Sequence, residues 1–161
     1  MKIKLISFFL ICSLLLSGCG SQSQSAPEAD SFGVTFVDDL GRTVTVSNPR
    51  RVACLLGSFA EVWQLAGGQV AATADDAWED FGLTLPEDAV NLGGTKHVSL
   101  ELLLSAQPDF ILASTNTRQN MELQETLEAA NIPVAYFDVF DFSDYLRLLD
   151  ICTDITGSKD R

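Results

Sequence analysis

Arg51-Val52-Ala53-Cys54-Leu55-Leu56, closed by Gly57 and Ser58, is the stretch that decides the fold. Five consecutive apolar residues leave no polar face, so a strand built from them is buried on both sides, as the strands of parallel sheets are. Gly57 breaks the strand. Ser58, with Glu61 three residues later, has the spacing of a capping box and predicts a helix to about Ala66, before Gly67-Gly68. Val70 to Thr73 is the next expected strand.

Downstream the alternation repeats. Ser99 is placed to cap a helix from Leu100 to Ala106, Pro108 ends it, and Phe110 to Ala113 reads as a buried strand. Met121 to Ala130 has helical apolar spacing, Asn131-Ile132-Pro133 is a turn, and Val134 to Phe137 is another strand. Within Ser143 to Ile155, Tyr145, Leu148, Leu149 and Cys152 recur at helical spacing, stopped by Gly157. Upstream, Val34 to Asp38 and Thr43 to Val46 alternate around Leu40-Gly41-Arg42, which predicts a small edge hairpin. Strands alternating with helices of this length imply right-handed βαβ units. The expected class is α/β: a Rossmann-like three-layer lobe with a mainly parallel sheet, preceded by a β-hairpin.

The amino terminus has a different composition. Lys2 and Lys4 precede an apolar run from Leu5 to Leu16, interrupted only by Ser7 and Ser13, which is the pattern of a secretory signal and too short for a spanning helix. Leu16-Ser17-Gly18-Cys19 resembles the bacterial lipobox, so Cys19 is the expected lipidation site and the membrane is a partner through a lipid anchor. Gly20 to Ser31 is rich in Ser, Gln, Ala and Pro and reads as a flexible tether. The expected organisation is residues 1–18 as signal peptide, 19–31 as tether and 32–161 as the folded lobe.

The full chain of 161 residues has a formal charge of -12. Removing residues 1–18 would leave 161 minus 18, or 143, and the loss of Lys2 and Lys4 would take the charge to -14. Such an acidic balance argues against nucleic acid and anionic lipid as partners. Cys12 lies in the signal and Cys19 in the lipobox, which leaves Cys54 and Cys152 to form a bridge or to stand as two separately buried thiols. Each lies in an apolar run, which favours the thiols.

In open α/β sheets ligands bind beyond the carboxyl ends of the strands. The loops Gly57-Ser58-Phe59, Asp75 to Phe81, Ser114 to Arg118 and Asp138 to Asp141 should therefore ring one mouth. Gly93-Gly94-Thr95-Lys96-His97 adds a fifth, carrying the single histidine. The catalytic inventory is thin. There is no Cys-x-x-Cys, His-Glu-x-x-His, Gly-x-Ser-x-Gly or phosphate-binding loop, so no catalytic residue is assigned and an enzyme is not expected. Gly93-Gly94 reads more readily as a turn needing positive φ than as a phosphate cradle. One histidine without partners makes no metal site, so His97 reads as a loop residue before it reads as an axial ligand. Trp78, among acids, is either a stacking platform or a rim residue folded onto the core.

Gly93-Gly94-Thr95-Lys96-His97-Val98-Ser99-Leu100-Glu101, followed by Leu104-Ser105-Ala106-Gln107-Pro108-Asp109-Phe110-Ile111-Leu112, is similar to a pattern of known proteins. It resembles that of the periplasmic binding proteins for iron siderophores, haem and cobalamin: a glycine pair, a polar loop, Leu-Glu, a helix, then Pro-Asp and a buried strand. The resemblance runs from about Phe36 to Arg161, and departs from the family where Leu56-Gly57 replaces a common Ser-Pro and His97-Val98 a common Asn-Pro. It implies that Ser58, Trp78, Thr95, Lys96, His97, Thr115 and Asn116 face a ligand. It also implies that Glu101 docks an arginine pocket of a membrane permease. The partners so implied are an ABC permease with its ATPase and a small metal chelate; no resident cofactor is implied.

The family's cleft lies between two lobes, and this chain has the length of the amino-terminal one. Either another chain supplies the second lobe or, as the favoured expectation, this is a truncated or fragmentary importer component, lipid-anchored outside the cell. The competing expectations are a surface lipoprotein that binds a protein and, third, a chelatase, which would need a cluster of acids around His97.

Overall fold

The computed structural model describes residues 33–158, which lie in one compact unit, Ser31–Arg161. The signal, the tether and Cys19 lie outside the described residues.

Two strands, β1 (Val34–Val37) and β2 (Thr43–Val46), form an antiparallel hairpin turned at Gly41, whose φ of 75° suits glycine. Next come β3 (Val52–Cys54), α1 (Gly57–Leu65), β4 (Val70–Thr73), α2 (Asp76–Glu79), β5 (Val90–Asn91) and α3 (Leu100–Ser105). The chain continues with β6 (Phe110–Ser114), α4 (Arg118–Glu122), α5 (Gln124–Ala129), β7 (Val134–Phe137) and α6 (Phe142–Thr156). Strands β3 to β7 form a five-stranded, wholly parallel sheet in the order β5-β4-β3-β6-β7. Along β3, β6 and β7 the side chains divide with a period of two, as pleating requires. Val52, Cys54, Phe110, Leu112, Ala135 and Phe137 join a core with α1, α6 and the hairpin, while Ala53, Leu55, Ile111, Ala113, Val134 and Tyr136 join a second with Leu103 of α3 and Leu127 of α5. The expected α/β three-layer lobe is present, and the continuous apolar runs are apolar because both faces are covered.

The hairpin is a sheet of its own, tied to the outer edge of β7. Asp39 N–H donates to Tyr136 C=O at 2.9 Å, and Tyr136 N–H donates to the Asp38 carboxylate at 3.2 Å. Arg42 Nη2 reaches Val134 C=O at 2.9 Å, and Asp138 N–H donates to Asp39 Oδ2 at 2.6 Å. Asp38, almost wholly buried, also accepts from Leu40 N–H, Arg42 N–H and the Arg42 guanidinium. Burial alone would raise its pKa. The Arg42 side-chain bond, the Arg42 and Tyr136 amides and the Arg42 charge outweigh that and hold it below the usual carboxylate range. The Pro108-Asp109 pair also has a structural role, since Asp109 accepts from Arg50 N–H and Arg51 N–H at 2.8 and 2.9 Å and so fixes the entry to β3.

Cys54 and Cys152 are free thiols within the same buried core. Ser99 caps α3 as expected, its Oγ accepting from Leu102 N–H at 3.3 Å. The Ser58–Glu61 capping box is not formed. Helix α1 starts two residues earlier than a Ser58 cap would have it, at Gly57 with Leu56 as N-cap, and the Gly57 N–H is taken by the Asp76 carboxylate at 2.9 and 3.0 Å. The helix expected over Met121 to Ala130 begins at Arg118 and is interrupted at Leu123, giving α4 and α5. No helix among the described residues is long and apolar enough to cross a membrane.

Candidate ligand-binding site

Strand β3 is followed by a crossover to β4 on one side, whereas β6 lies on its other side, so the chain leaves β3 and β6 in opposite directions. Such a divergence opens a crevice at the carboxyl ends of the two strands. A depression of ≈ 390 Å³ lies there. Its apolar wall is Leu56, Phe59, Val62, Val139, Tyr145 and Leu148, and its polar groups are Ser58, Glu61, Ser114, Asn116 and Thr117. Ser114 is fixed by the buried Asn120, whose Oδ1 accepts from Ser114 N–H at 3.0 Å, and Ser114 Oγ in turn accepts from Asn116 N–H at 3.1 Å. Asn116 Nδ2 donates to Asp138 at 2.5 Å, which joins the loops after β6 and β7. Beside this wall, Phe140 is 90% and Phe142 72% exposed, and Phe142 stacks on Tyr145 with ring centroids 6.0 Å apart.

A second depression, ≈ 430 Å³, adjoins the first at Thr117 and is lined by Lys96, His97, Arg118, Gln119 and Glu122. The loop bearing Lys96 and His97 is held by the Gln119 side chain, which accepts from Val98 N–H at 2.5 Å and donates to Val98 C=O at 2.9 Å. Gly93 has φ 87°, the turn geometry expected of it.

Of the residues singled out from the sequence, Ser58 and Asn116 line the first depression and Lys96 and His97 the second. Trp78 is half-buried on α2, Thr95 sits in the turn before Lys96, and Thr115 is tied by its N–H to Phe137 C=O at 3.0 Å; none of the three lines either depression. Leu56, Phe59, Glu61, Thr117, Arg118 and Tyr145 line them without having been singled out as ligand-facing. Phe59, Thr117 and Arg118 fall in the loops expected to ring the mouth, whereas Glu61 and Tyr145 lie within α1 and α6, and only the packing of those helices against the strand ends brings them there. Among the described residues no group of three or more His, Cys, Asp or Glu is placed to hold a metal ion. Glu101 is exposed in the first turn of α3, between exposed Leu102 and Leu104 further along the helix and the Gly93–Val98 loop before it.

Residues 52–161 match the family described as periplasmic binding protein. The chain belongs to that family. Over 150 residues it is 25% identical to the Fe(3+)-citrate-binding protein YfmC of Bacillus subtilis (strain 168), a match covering 86% of this chain and 48% of that protein. Its fold is similar to that of Staphylococcus aureus SirA, solved in complex with staphyloferrin B, with TM-score 0.60 and 20% identity over 79% of this chain and 44% of SirA. It is also similar to the Haemophilus influenzae molybdate periplasmic binding protein MolA, with TM-score 0.57 and 17% identity over 79% and 48% of the two chains. The chain thus spans about half the length of the periplasmic binding proteins it matches.

Proposed function

We propose that the protein is the solute-binding component of an ABC importer and takes up a ferric chelate, a siderophore complex or haem, for delivery to a membrane permease and its ATPase. The observation that carries this reading is the crevice between the ends of β3 and β6, with Ser58, Ser114, Asn116 and Thr117 set against an apolar wall. A few oriented polar groups on a mainly apolar, preformed concavity suit small-molecule capture. Membership of a family of binding proteins and the likeness to a ferric citrate binder support the same reading, and make a binder a better account than an enzyme.

In this reading Glu101 meets the permease. It is exposed on α3 with Leu102 and Leu104, 41% and 39% exposed, so a charge sits beside apolar surface, as docking contacts often combine them. Cys19 would be acylated, which places the lobe outside the cell on a lipid tether.

Titration of the full chain with ferric citrate and with haem, followed by the fluorescence of Trp63 and Trp78, tests the proposal. Saturable binding of either is the expected result, and the absence of binding to both would overturn it. Incorporation of labelled fatty acid that is lost in Cys19→Ala checks the anchor.

A further inference from the structure

We infer that the captured chelate is an anion, seated across Thr117 with its negatively charged groups in the Lys96–His97–Arg118 depression and its uncharged body against the apolar wall beside Ser58. The inference rests on the proposed binding function and narrows its ligand.

Positive charge is scarce and concentrated in one place. The described residues include six lysines and arginines in a strongly acidic chain. Arg50 and Arg51 precede β3 and lie at the opposite end of the sheet from the crevice. Arg42 is consumed by Asp38, Glu128 and the Val134 carbonyl, and Arg147 by Asp39 at 2.5 Å. The two that remain, Lys96 in the loop before α3 and Arg118 at the start of α4, are 22 positions apart and line one depression together with the single histidine. Lys96 is exposed and forms no ion pair among the described residues. Arg118 is engaged through Nε by Glu122 at 2.7 Å, with side chains 92% and 57% exposed. A pair so exposed is held weakly and gives way readily to a ligand oxyanion. The Gln119 clamp on Val98 fixes the Lys96 loop to the helix that carries Arg118, so the cationic groups are brought together before any ligand arrives.

The cationic groups lie on one side of Thr117 and the apolar wall, with Glu61 its one charged group, on the other. A neutral ligand would gain nothing from the cationic side, whereas an iron complex of carboxylate or catecholate groups, which keeps net negative charge, would gain charge-assisted hydrogen bonds there. Its attraction would weaken as salt screens the exposed groups.

Full chain is titrated with ferric citrate and with the neutral iron complex of a cyclic trihydroxamate, at low and high sodium chloride, beside the double variant K96Q/R118Q. Both substituted side chains are exposed, so the fold is expected to persist, which the unfolding midpoint checks. Ferric citrate should bind, lose affinity with added salt, and lose roughly tenfold or more in the double variant, as expected for charged hydrogen bonds; the trihydroxamate should bind more weakly and without these dependences. Equal binding of ferric citrate by the double variant, or trihydroxamate binding as tight as that of citrate with no salt effect, would overturn the inference and leave the importer reading standing. Failure of ferric citrate and the trihydroxamate to bind would remove the inference, and failure of haem as well would remove the importer reading with it.

Discussion

The carboxylate of Asp76 closes on the backbone N–H of Gly57, 2.9 and 3.0 Å from its two oxygens, and so caps α1 from a neighbouring helix instead of from its own first residues. The contact is close because residue 57 has no side chain. A Cβ there would stand 2.5 Å from Ala77 N and 2.7 Å from Ala77 Cα, and backbone cannot retreat as a flexible side chain can. Ser58, next along α1, is thereby set against the crevice.

Gly57→Ala is predicted to destabilise the protein by about 1–3 kcal/mol, the usual cost of forcing an extra methyl into packed structure. Urea unfolding should show a lower midpoint with an unchanged slope. An unchanged midpoint would mean that α1 and α2 part without cost.

Asp76 and Asp38 should make opposite contributions to the pH dependence of stability. Burial, with the Asp75 and Asp80 charges adding to it and the Gly57 N–H opposing, holds Asp76 above the usual carboxylate range. Its contribution is therefore full below the unfolded-state value and lost as pH rises through the raised folded value. Asp38 is held low, so its contribution is full above the unfolded-state value and lost as pH falls through the depressed folded one. Relative to wild type, Asp76→Asn should then fare worst in acid and best near neutrality. Asp38→Asn should cost about 2–3 kcal/mol near neutrality, in the range for hydrogen bonds to a charged group, and progressively less below about pH 4. Unfolding free energies of the three proteins across pH 3–7 would show whether the two curves cross wild type in opposite senses.

The thiols of Cys54 and Cys152 are predicted to be inert in the folded protein. Burial pushes Cys152 up to about 12, and burial with the neighbouring Cys152 pushes Cys54 well above the free-thiol range. A thiol reagent at pH 8 needs the thiolate. Peptide mapping after brief native labelling should find neither residue modified, and both modified after denaturation. Rapid native labelling would place a solvent path into the core between the sheet and α6.

Ser58→Phe should fill the crevice from its half-exposed wall position and abolish ferric citrate binding, with a change in stability within about 0.5 kcal/mol, as for surface substitutions. Calorimetric titration beside thermal unfolding separates the two effects. Retained affinity would move the ligand away from the end of β3.

Sequence periodicity located the elements whose formation is local. Val70–Thr73 and Val134–Phe137 are strands with the expected bounds, and Ser99 caps its own helix. It was silent where structure depends on distant residues. Strand β5 has two residues and exists only as a partner of β4, α2 is a single turn, and the cap of α1 comes from residue 76. The early start of α4 belongs to the same class: Asn120 is buried to hold Ser114 N–H, a polar residue facing inward that an apolar pattern counts as surface. Lys96 and His97 were legible from the family motif, and Arg118 from the loop after β6 that was expected at the same mouth. That the three share one depression was not legible, because their nearness follows from the Gln119 clamp.

The binding of the hairpin turn to β7 has a consequence for behaviour in a crowd. An edge strand with open amides invites another chain to extend the sheet, the first step of many aggregates. On β7 the outward-facing Val134 C=O, Tyr136 N–H, Tyr136 C=O and Asp138 N–H are all occupied by Asp38, Asp39 and Arg42, and β5 at the far edge offers two residues for templating. Asp38 thus serves as a plug: the hairpin spends its polar groups on closing the sheet against its own copies.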